Sequence, residues 1–325
     1  MSQTVVTTAG SELAQRLASD DIEVLAASWT IGLDPRVLPA IRRAMKSAVL
    51  LHAHDAHALA LAGLSVLPSR APLVVTRRVT FPLRRRFFWR RACRIIAISR
   101  AVRDALVSDG IDPARIVVIP SAIDPNLFQS NDPGLSAPLA LPTGRRLAVH
   151  LGSLTAEKDQ QTLIRAAALL VQDLPDLHWV IVGDGALRSE LQRQIAQLRV
   201  NDRVQLLGTL PDPDRVLAKA DLFVMSSTSE GLGSSALAAM AHGVPVIATR
   251  VGGLPELLES GGGVLVEPRD PGALAEAVRR VLNDSELHGR LAARGRKVAQ
   301  AYALGPMADQ VLSVYRSCAH SFDGS

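Results

Sequence analysis

The sequence predicts an α/β protein with two parallel-sheet domains, and three observations support this fold class. The chain has 325 residues, which suits two domains of about 150 residues each. Short apolar runs alternate with helical patterns in both halves, as in covered parallel sheets. Residues 124–144 lack periodicity and are rich in Pro, Gly, Asn and Ser, as expected of a linker. The predicted divisions are a first domain at 1–128, a linker at 129–144, a second domain at 145–304, and a C-terminal helix and tail at 305–325.

The first half reads as alternating strands and helices. Its apolar runs predict strands at 4–7, 22–27, 48–52, 73–76, 94–98 and 116–119. Its helical patterns lie at 11–18, 35–46, 56–64, 87–92 and 101–109. Strand, helix and strand in this order indicate a parallel sheet with helices on both faces.

The second half repeats the rhythm more regularly. Strands are predicted at 147–151, 179–182, 204–207, 222–225, 246–249 and 263–266. Helices are predicted at 159–173, 186–198, 212–219, 234–242, 255–260, 273–283 and 285–302. This order indicates a doubly wound sheet of Rossmann type, in which ligands bind beyond the carboxyl ends of the strands. A last amphipathic helix at 305–317 fits against either domain.

Composition restricts the class of protein. Cys93 and Cys318 show neither CxxC nor metal-ligand spacing, so a disulfide framework is not expected. Residues 1–10 lack the basic and apolar regions of a signal peptide, and no apolar run reaches the ~18 residues of a membrane span. We therefore expect a cytoplasmic protein that acts at the inner face of the plasma membrane.

The loop after the strand at 222–225 is the strongest candidate for a binding site. It is rich in Ser and Gly and leads into a helix, where exposed amides and the helix dipole attract anions. Glycines let a phosphate approach the backbone, serines donate hydrogen bonds, and a carboxylate suits sugar hydroxyls. A capped helix with a solvated glutamate is the alternative. The residues concerned are Glu230, Gly231, Leu232, Gly233, Ser234 and Ser235.

Four further loops follow strands of the second half. The first ends in Lys158, whose charge could neutralise a pyrophosphate, although a surface lysine is the alternative. Each of the others has a glycine that permits a close turn. Together these loops place Gly152, Ser153, Gly183, Gly185, Leu207, Gly208 and the run 252–256 at one edge of the sheet.

Segment 149–268 resembles the donor domain of the family-4 glycosyltransferases of the GT-B fold. The motifs that carry the resemblance are Gly152…Glu157-Lys158, Val182-Gly-Asp-Gly185, Leu207-Gly208, Ser229-Glu-Gly-Leu-Gly233, Ala239-Met-Ala-His-Gly-Val-Pro-Val246 and Gly252-Gly-Leu-Pro-Glu256. The first half is similar more loosely, at His52-Ala-His-Asp55, 96–103 and 118–124.

The resemblance implies retaining transfer from a nucleotide diphosphosugar, with no metal or other cofactor. Lys158 would then bind the diphosphate, and Glu230 the donor-sugar hydroxyls. The amides of 231–234 would hold phosphate or sugar oxygens, and Leu207 and Gly208 would flank the base. His54 would face the reacting sugar from the acceptor-side domain, so the expected catalytic residues are His54, Lys158 and Glu230.

Three features depart from the family pattern. Ser153 stands where members often carry an arginine that assists Lys158. Ala238 replaces a second acid, eight residues after Glu230, that usually binds the ribose. The chain also resembles the family only from its second strand onward, which predicts a first domain without its opening strand, loop and helix.

A histidine cluster and a basic stretch leave alternatives open. The spacing of metal ligands is present at His52, His54 and His57, but only Asp55 could complete a metal site. The other interpretations are ordinary structural histidines, or a role for His54 in the cleft. The basic stretch comprises Arg77, Arg78 and residues 83–94, with aromatic residues at 87–89. It could contact an anionic membrane or a lipid-linked acceptor, and nucleic acid is the least favoured partner. The structural alternative is a helix whose aromatic face is buried. The predicted contacts of the basic stretch are Arg77, Arg78, Arg84, Arg85 and Arg86.

The sequence therefore predicts a glycosyltransferase of cell-envelope biosynthesis, as in lipopolysaccharide assembly. Its partners would be a UDP- or GDP-linked sugar and a lipid-linked or envelope glycan, with no nucleic acid. Two alternatives remain at this point. Ser153, Ala238 and the short first domain favour a non-catalytic sugar-nucleotide-binding remnant. An epimerase or hydrolase on the same fold would need more acid and base groups than His54, Asp55 and Glu230.

Overall fold

The structure is a computed structural model, and it describes residues 3–17, 22–27, 34–65, 71–83, 86–123 and 144–323. The chain divides into two compact units. Unit 1 comprises Met1–Ile119 together with Ala308–Ser325, and unit 2 comprises Pro120–Met307. Most of the predicted linker lies outside the described residues.

Unit 1 has two parallel sheets among its described residues. A pair of strands, β1 and β2, forms one sheet, and four strands in the order β3-β4-β5-β6 form the other. Five helices precede or connect these strands. The strands are β1 (Thr4–Thr8), β2 (Glu23–Ala27), β3 (Leu51–Ala53), β4 (Leu73–Arg77), β5 (Arg94–Ala97) and β6 (Ile116–Val118). The helices are α1 (Glu12–Leu17), α2 (Leu38–Met45), α3 (Ala56–Ser65), α4 (Arg86–Trp89) and α5 (Arg100–Ser108).

Unit 2 is a six-stranded parallel sheet in the order β12-β11-β10-β7-β8-β9. Its central strands are buried on both faces, which explains their continuous apolar sequences. The strands are β7 (Arg146–Leu151), β8 (Leu177–Val182), β9 (Val204–Gly208), β10 (Leu222–Met225), β11 (Val246–Thr249) and β12 (Gly263–Val266). The helices are α6 (Gln160–Leu169), α7 (Arg188–Gln197), α8 (Asp214–Leu217), α9 (Ser234–His242), α10 (Leu254–Leu258), α11 (Pro271–Asn283) and α12 (Ser285–Gln300).

Two hydrophobic clusters cover the faces of the unit 2 sheet. One lies under helices α6, α7 and α11 and includes Leu163, Trp179 and Val278. The other lies under α9 and α10 and includes Phe223 and Met240. The carboxyl ends of all six strands therefore meet along one edge that the helices leave uncovered. This α/β architecture agrees with the predicted fold class.

Helix α13 (Leu304–Asp323) ends the chain. The sequence left open which domain this helix covers. From Ala308 onward it belongs to unit 1, where Val314 and Cys318 are 6% and 0% exposed. The helix is also longer than the predicted 305–317. One further difference is that the strands of unit 1 form two sheets, whereas the sequence pattern predicts a single one.

Candidate functional site

The loops at the carboxyl edge of the unit 2 sheet are joined to one another by backbone hydrogen bonds. The Leu154 amide donates to the Asp184 carbonyl (3.0 Å), and the Gly183 amide donates to the Gly208 carbonyl (2.8 Å). The loop after β10 joins the loop after β7, because the Thr228 amide donates to the Glu157 carbonyl (2.8 Å). The predicted donor-site loops thus form one connected surface.

Lys158 and Glu230 meet at the centre of this surface. The Lys158 Nζ lies 2.5 Å from Glu230 Oε2, and the side chains are 19% and 14% exposed. The Ser227 hydroxyl donates to the same carboxylate oxygen at 3.5 Å. An opposite charge stabilises each of these half-buried groups. The site therefore presents a cation and a carboxylate side by side.

The backbone around Lys158 is fixed on both sides. Lys158 ends a short 3-10 turn, and the next residue, Asp159, has a left-handed conformation with φ of 45°. The Asp159 side chain caps α6 by accepting hydrogen bonds from the Thr162 amide (3.3 Å) and hydroxyl (2.8 Å). The Ser226 hydroxyl donates to the Lys158 carbonyl at 3.0 Å. The aspartate thus begins the helix and turns the lysine towards the site.

Helix α9 begins next to the ion pair without a side-chain cap. Gly233 precedes it with φ of 100°, and a Cβ at this position would lie 2.6 Å from Leu254 Cδ2. Ser234 is exposed, whereas the Ser235 hydroxyl donates to the Leu151 carbonyl at 3.1 Å. Gly231 and Leu232, also predicted at this site, are buried. A helix start without a side-chain cap leaves first-turn amides available to an anion.

Two glycines allow the loops to approach this closely. A Cβ on Gly183 would lie 2.0 Å from the Gly152 carbonyl oxygen. A Cβ on Gly252 would lie 1.7 Å from the Glu230 carbonyl oxygen, and both glycines have positive φ. Only glycine fits such contacts. The spacing of these motifs therefore has a steric cause that does not depend on any ligand.

The predicted base-binding residues, Leu207 and Gly208, lie at the end of β9. Gly208 has φ of 78°, and the Arg188 guanidinium lies 3.6 Å from the position that its Cβ would take. Arg188 also donates to the Leu206 carbonyl at 3.4 Å and contacts Asp184 Oδ2 at 3.5 Å. Arg188 was not among the predicted site residues. Its position at the start of α7, opposite the end of β9, follows only from the folded structure.

A buried histidine, His150, makes hydrogen bonds that connect β7 with β10 and with helix α6. His150 on β7 is 1% exposed, and its Nδ1 lies 2.9 Å from the Val224 carbonyl oxygen. Its Nε2 lies 3.2 Å from the Gln160 amide nitrogen, which also donates to the Ser153 carbonyl at 2.9 Å. Burial lowers the pKa of His150 to about 4, so the ring is neutral at pH 7. Sequence reasoning missed this residue, although a histidine in an otherwise apolar strand was a signal.

Two of the departures from the family pattern lie on the same edge. Ser153 is exposed and carries no charge, so Lys158 is the one cation of its own loop. Ala238 lies on α9, partly buried against the hydrophobic cluster beneath that helix. Neither residue supplies a charged group.

In unit 1, His54 follows β3 and is exposed, and its ring lies 4.1 Å from that of His52. His52 is held between Thr76 and Tyr315 by hydrogen bonds of 2.8 and 2.6 Å. Across the described ranges, no three potential metal-ligating side chains come together, here or elsewhere.

The basic stretch of unit 1 divides between interior and surface. Arg77 was predicted to contact an acceptor or a membrane, but it is only 8% exposed. Its guanidinium lies 5.3 Å from the centre of the Trp89 ring and donates to the Phe81 carbonyl. Arg78 and Arg86 are exposed, and Arg86 pairs with Asp109 at 3.0 Å. Arg84 and Arg85 lie outside the described residues. Among the helices that the structure describes, none has the length and apolar character needed to cross a bilayer.

The chain matches two family profiles on consecutive segments. Residues 133–298, just over half of the chain, match "Glycosyl transferases group 1". Residues 3–127 match "Glycosyltransferase Family 4". The second match begins at residue 3. The absence of an opening strand, loop and helix from the first domain stays a prediction.

Individual relatives agree with these profiles. Alpha-D-kanosaminyltransferase of Streptomyces kanamyceticus is 30% identical over 76% of this chain and 67% of its own length. The lipopolysaccharide core biosynthesis glycosyltransferase LpsE of Rhizobium meliloti is 34% identical over 49% of this chain and 46% of its own length. The chain spans about half the length of most of the curated relatives it matches.

Among solved structures, Anabaena Alr3699/HepE in complex with UDP-glucose is similar with a TM-score of 0.83 and 25% identity. The similarity covers 97% of this chain and 91% of HepE. The two profiles, the relatives and the shared architecture agree: this chain belongs to the family-4 glycosyltransferases and has the GT-B fold.

Proposed function

We propose that this chain transfers a sugar, with retention, from a nucleotide diphosphosugar to an acceptor hydroxyl. The observation that carries this proposal is the Lys158–Glu230 pair beside the uncapped start of α9. A cation and free amides suit the diphosphate, and a carboxylate suits the sugar hydroxyls. One site thus offers both chemistries that a nucleotide sugar presents.

Donor binding exchanges partners within the ion pair. The diphosphate takes Glu230's place on Lys158 Nζ, and the released carboxylate accepts hydrogen bonds from the sugar. Before the donor arrives, each side chain neutralises the other, so neither carries an unpaired half-buried charge. The exchange makes binding of the phosphate and of the sugar interdependent.

The chemical step breaks the bond between the anomeric carbon and the phosphate oxygen and forms a bond between that carbon and the acceptor oxygen. Negative charge then grows on the departing diphosphate, where Lys158 and the first-turn amides of α9 stabilise it. Retention places the acceptor hydroxyl on the face that the diphosphate leaves, so a departing phosphate oxygen can take the acceptor proton. The family resemblance assigns His54 to the orientation of the reacting sugar.

The proposal is tested first by thermal unfolding with UDP, GDP and their sugars. UDP comes first because HepE was solved with UDP-glucose. A ligand at 100 times its Kd stabilises the native state by about 2.7 kcal/mol. We expect a raised midpoint with one nucleotide, followed by release of that nucleotide from its sugar when acceptor is added.

The matched variants are Lys158→Met and Lys219→Met. Lys219 is an exposed lysine of the same unit that precedes β10 at the opposite edge of the sheet. Lys219→Met should keep the ligand-induced shift, and Lys158→Met should lose it. An equal shift in both variants would remove the site assignment.

For the acceptor, we propose a lipid-linked or envelope glycan reached at an anionic membrane on the cytoplasmic side. LpsE, a relative over about half of the chain, is named for lipopolysaccharide core biosynthesis. Unit 1 also exposes 47% of Phe81 and 64% of Phe87, and Arg90 and Arg91 are exposed in the same unit. The Arg91 guanidinium lies 5.6 Å from the centre of the Phe87 ring. Exposed aromatics among arginines suit an anionic lipid surface.

Vesicle sedimentation tests this contact. The protein should sediment with phosphatidylglycerol vesicles at low salt and less so with phosphatidylcholine vesicles. Phe87→Ser should weaken sedimentation. Leu169→Ser, which changes an apolar side chain of unit 2 that is 56% exposed, should not. Sedimentation that is equal for both lipids and both variants would contradict a membrane contact.

A non-catalytic sugar-nucleotide-binding protein is the second candidate, and Ser153 and Ala238 favour it because both lack charge. It predicts the nucleotide-induced shift without turnover for any sugar of that nucleotide. Turnover that depends on Lys158 excludes it.

A further inference from the structure

Helix α13 reaches the predicted catalytic histidine through a short series of contacts within unit 1. The Tyr315 hydroxyl on this helix lies 2.6 Å from His52 Nδ1. His52 Nε2 lies 2.8 Å from the Thr76 hydroxyl on β4. The face of the His52 ring lies against His54, with 4.1 Å between ring centres and 32° between ring planes. Tyr315 is thus one side chain removed from His54.

His52 is held from both sides. A neutral imidazole has one donor and one acceptor nitrogen, and a hydroxyl can serve either. With Tyr315 on one nitrogen and Thr76 on the other, both are satisfied and the ring cannot rotate without breaking a bond. Burial lowers the pKa of His52 to about 3, with smaller contributions from His54 and Arg78, so the ring stays neutral at physiological pH.

His54 rests on this fixed ring. The neighbouring Asp55 is also held, because its carboxylate accepts a hydrogen bond of 2.7 Å from the Ala58 amide at the start of α3. The surrounding protein and Arg78 lower the pKa of His54, while Asp55 raises it. The titratable and charged groups that face His52 and His54 are therefore Arg78, Asp55 and Tyr315. The net effect is a lowered pKa of His54. His54 presents its imidazole at the surface, with one face of the ring against His52.

We propose that Tyr315 is a positioning residue that acts through His52 to fix the His54 imidazole for sugar transfer. This inference rests on the proposed function, which assigns His54 to the sugar. Neither Tyr315 nor His52 belongs to the predicted nucleotide site in unit 2. Loss of the Tyr315 hydroxyl should therefore slow turnover and leave nucleotide binding unchanged.

The activity test uses variants that remove a hydroxyl and keep the shape of the side chain. Tyr315→Phe and Thr76→Val each remove one hydrogen bond to His52, whereas Thr76→Ser keeps the hydroxyl. Ser313→Ala, an exposed position on the same helix, is the control. We expect kcat to fall about 10- to 100-fold in Tyr315→Phe and Thr76→Val. The donor KM, and turnover in Thr76→Ser and Ser313→Ala, should stay close to wild type.

A second measurement does not depend on activity. Nitrogen-15 spectra of the imidazoles should show the His52 Nδ1 signal shifted in Tyr315→Phe and the His52 Nε2 signal shifted in Thr76→Val, with His54 signals shifted in both. Unchanged His54 signals in these variants would overturn the inference, and so would an equal loss of turnover in Ser313→Ala. If Tyr315→Phe does not fold, the Thr76→Val and Thr76→Ser pair decides. If the wild-type protein has no transferase activity but the variants show these spectral changes, the proposed function is refuted and the contact between Tyr315, His52 and His54 still holds.

Discussion

The Lys158 ammonium and the Glu230 carboxylate form an ion pair of 2.5 Å across two loops. These loops follow β7 and β10, which are neighbours in the sheet. The sequence assigned the two residues separate roles, one to the phosphate and one to the sugar. Their direct contact adds a link between those roles, because in the proposed exchange a ligand that binds one side chain releases the other.

Breaking this pair should cost stability as well as activity. Lys158→Met leaves the Glu230 carboxylate, 14% exposed, without its cation. We expect a loss of about 1–3 kcal/mol in the free energy of unfolding, measured by urea denaturation. The double variant Lys158→Met/Glu230→Gln removes both charges and should regain most of that stability, but no turnover. A double variant no more stable than Lys158→Met would show that the pair does not balance these charges.

Gly252→Ala should displace the backbone of Glu230. The new Cβ would lie 1.7 Å from the Glu230 carbonyl oxygen, at a φ of 53° that alanine rarely adopts. We expect a destabilisation of about 1–3 kcal/mol and weaker nucleotide binding. Gly289→Ala is the control, because no atom lies within 4 Å of its added Cβ on α12. That variant should gain up to about 1 kcal/mol from helix propensity. Equal stability of the two variants would contradict the close contact.

His150 should make the stability of unit 2 depend on pH. Its pKa falls from an ordinary 6.5 to about 4 on folding, so the unfolded chain binds the proton more tightly. Stability from this group is complete above about pH 6.5 and is lost as pH falls towards 4. Between pH 7.5 and 5 the loss should be about 2 kcal/mol. Urea denaturation of the wild type and of His150→Gln isolates this contribution, because the other histidines are the same in both. Parallel pH profiles would show that His150 is not held neutral.

Ala238→Glu should strengthen nucleotide binding. The family pattern has an acid at this position that binds the ribose, and here α9 carries the methyl group of Ala238 instead. One hydrogen bond between a carboxylate and the ribose contributes about 1.5–3 kcal/mol, which corresponds to about a 10- to 100-fold lower Kd by calorimetry. Ala238→Gln has a similar size without the charge and should gain less. If neither variant binds more tightly, the ribose does not lie beside α9.

The elements at the centre of unit 2 were predictable because local sequence determines them. Strand β10 and helix α9 have the bounds that the sequence predicts. An uninterrupted apolar run indicates a strand buried on both faces. Gly243, with φ of 72°, ends α9 as glycine commonly does. The conjunction of loops at one edge followed from the parallel topology alone.

Contacts between distant segments were not predictable in this way. His52 and Tyr315 are separated by 263 positions, and neither has a neighbouring sequence that indicates the other. His150 and Gln160 are closer along the chain, but their contact depends on how α6 lies across β7. Arg77 was predicted to contact an acceptor or a membrane as part of the basic stretch with its aromatics, and its contact with the Trp89 ring became visible only in the fold.

Because helix α13 belongs largely to unit 1, the two units are completed at different times during protein synthesis. Unit 2 is a continuous stretch of chain, so all of its strands leave the ribosome before translation ends. Unit 1 begins first, yet Val314, Tyr315 and Cys318, which complete its interior, are made after the whole of unit 2. Unit 1 therefore completes its interior only after the chain as far as Cys318 has been synthesised.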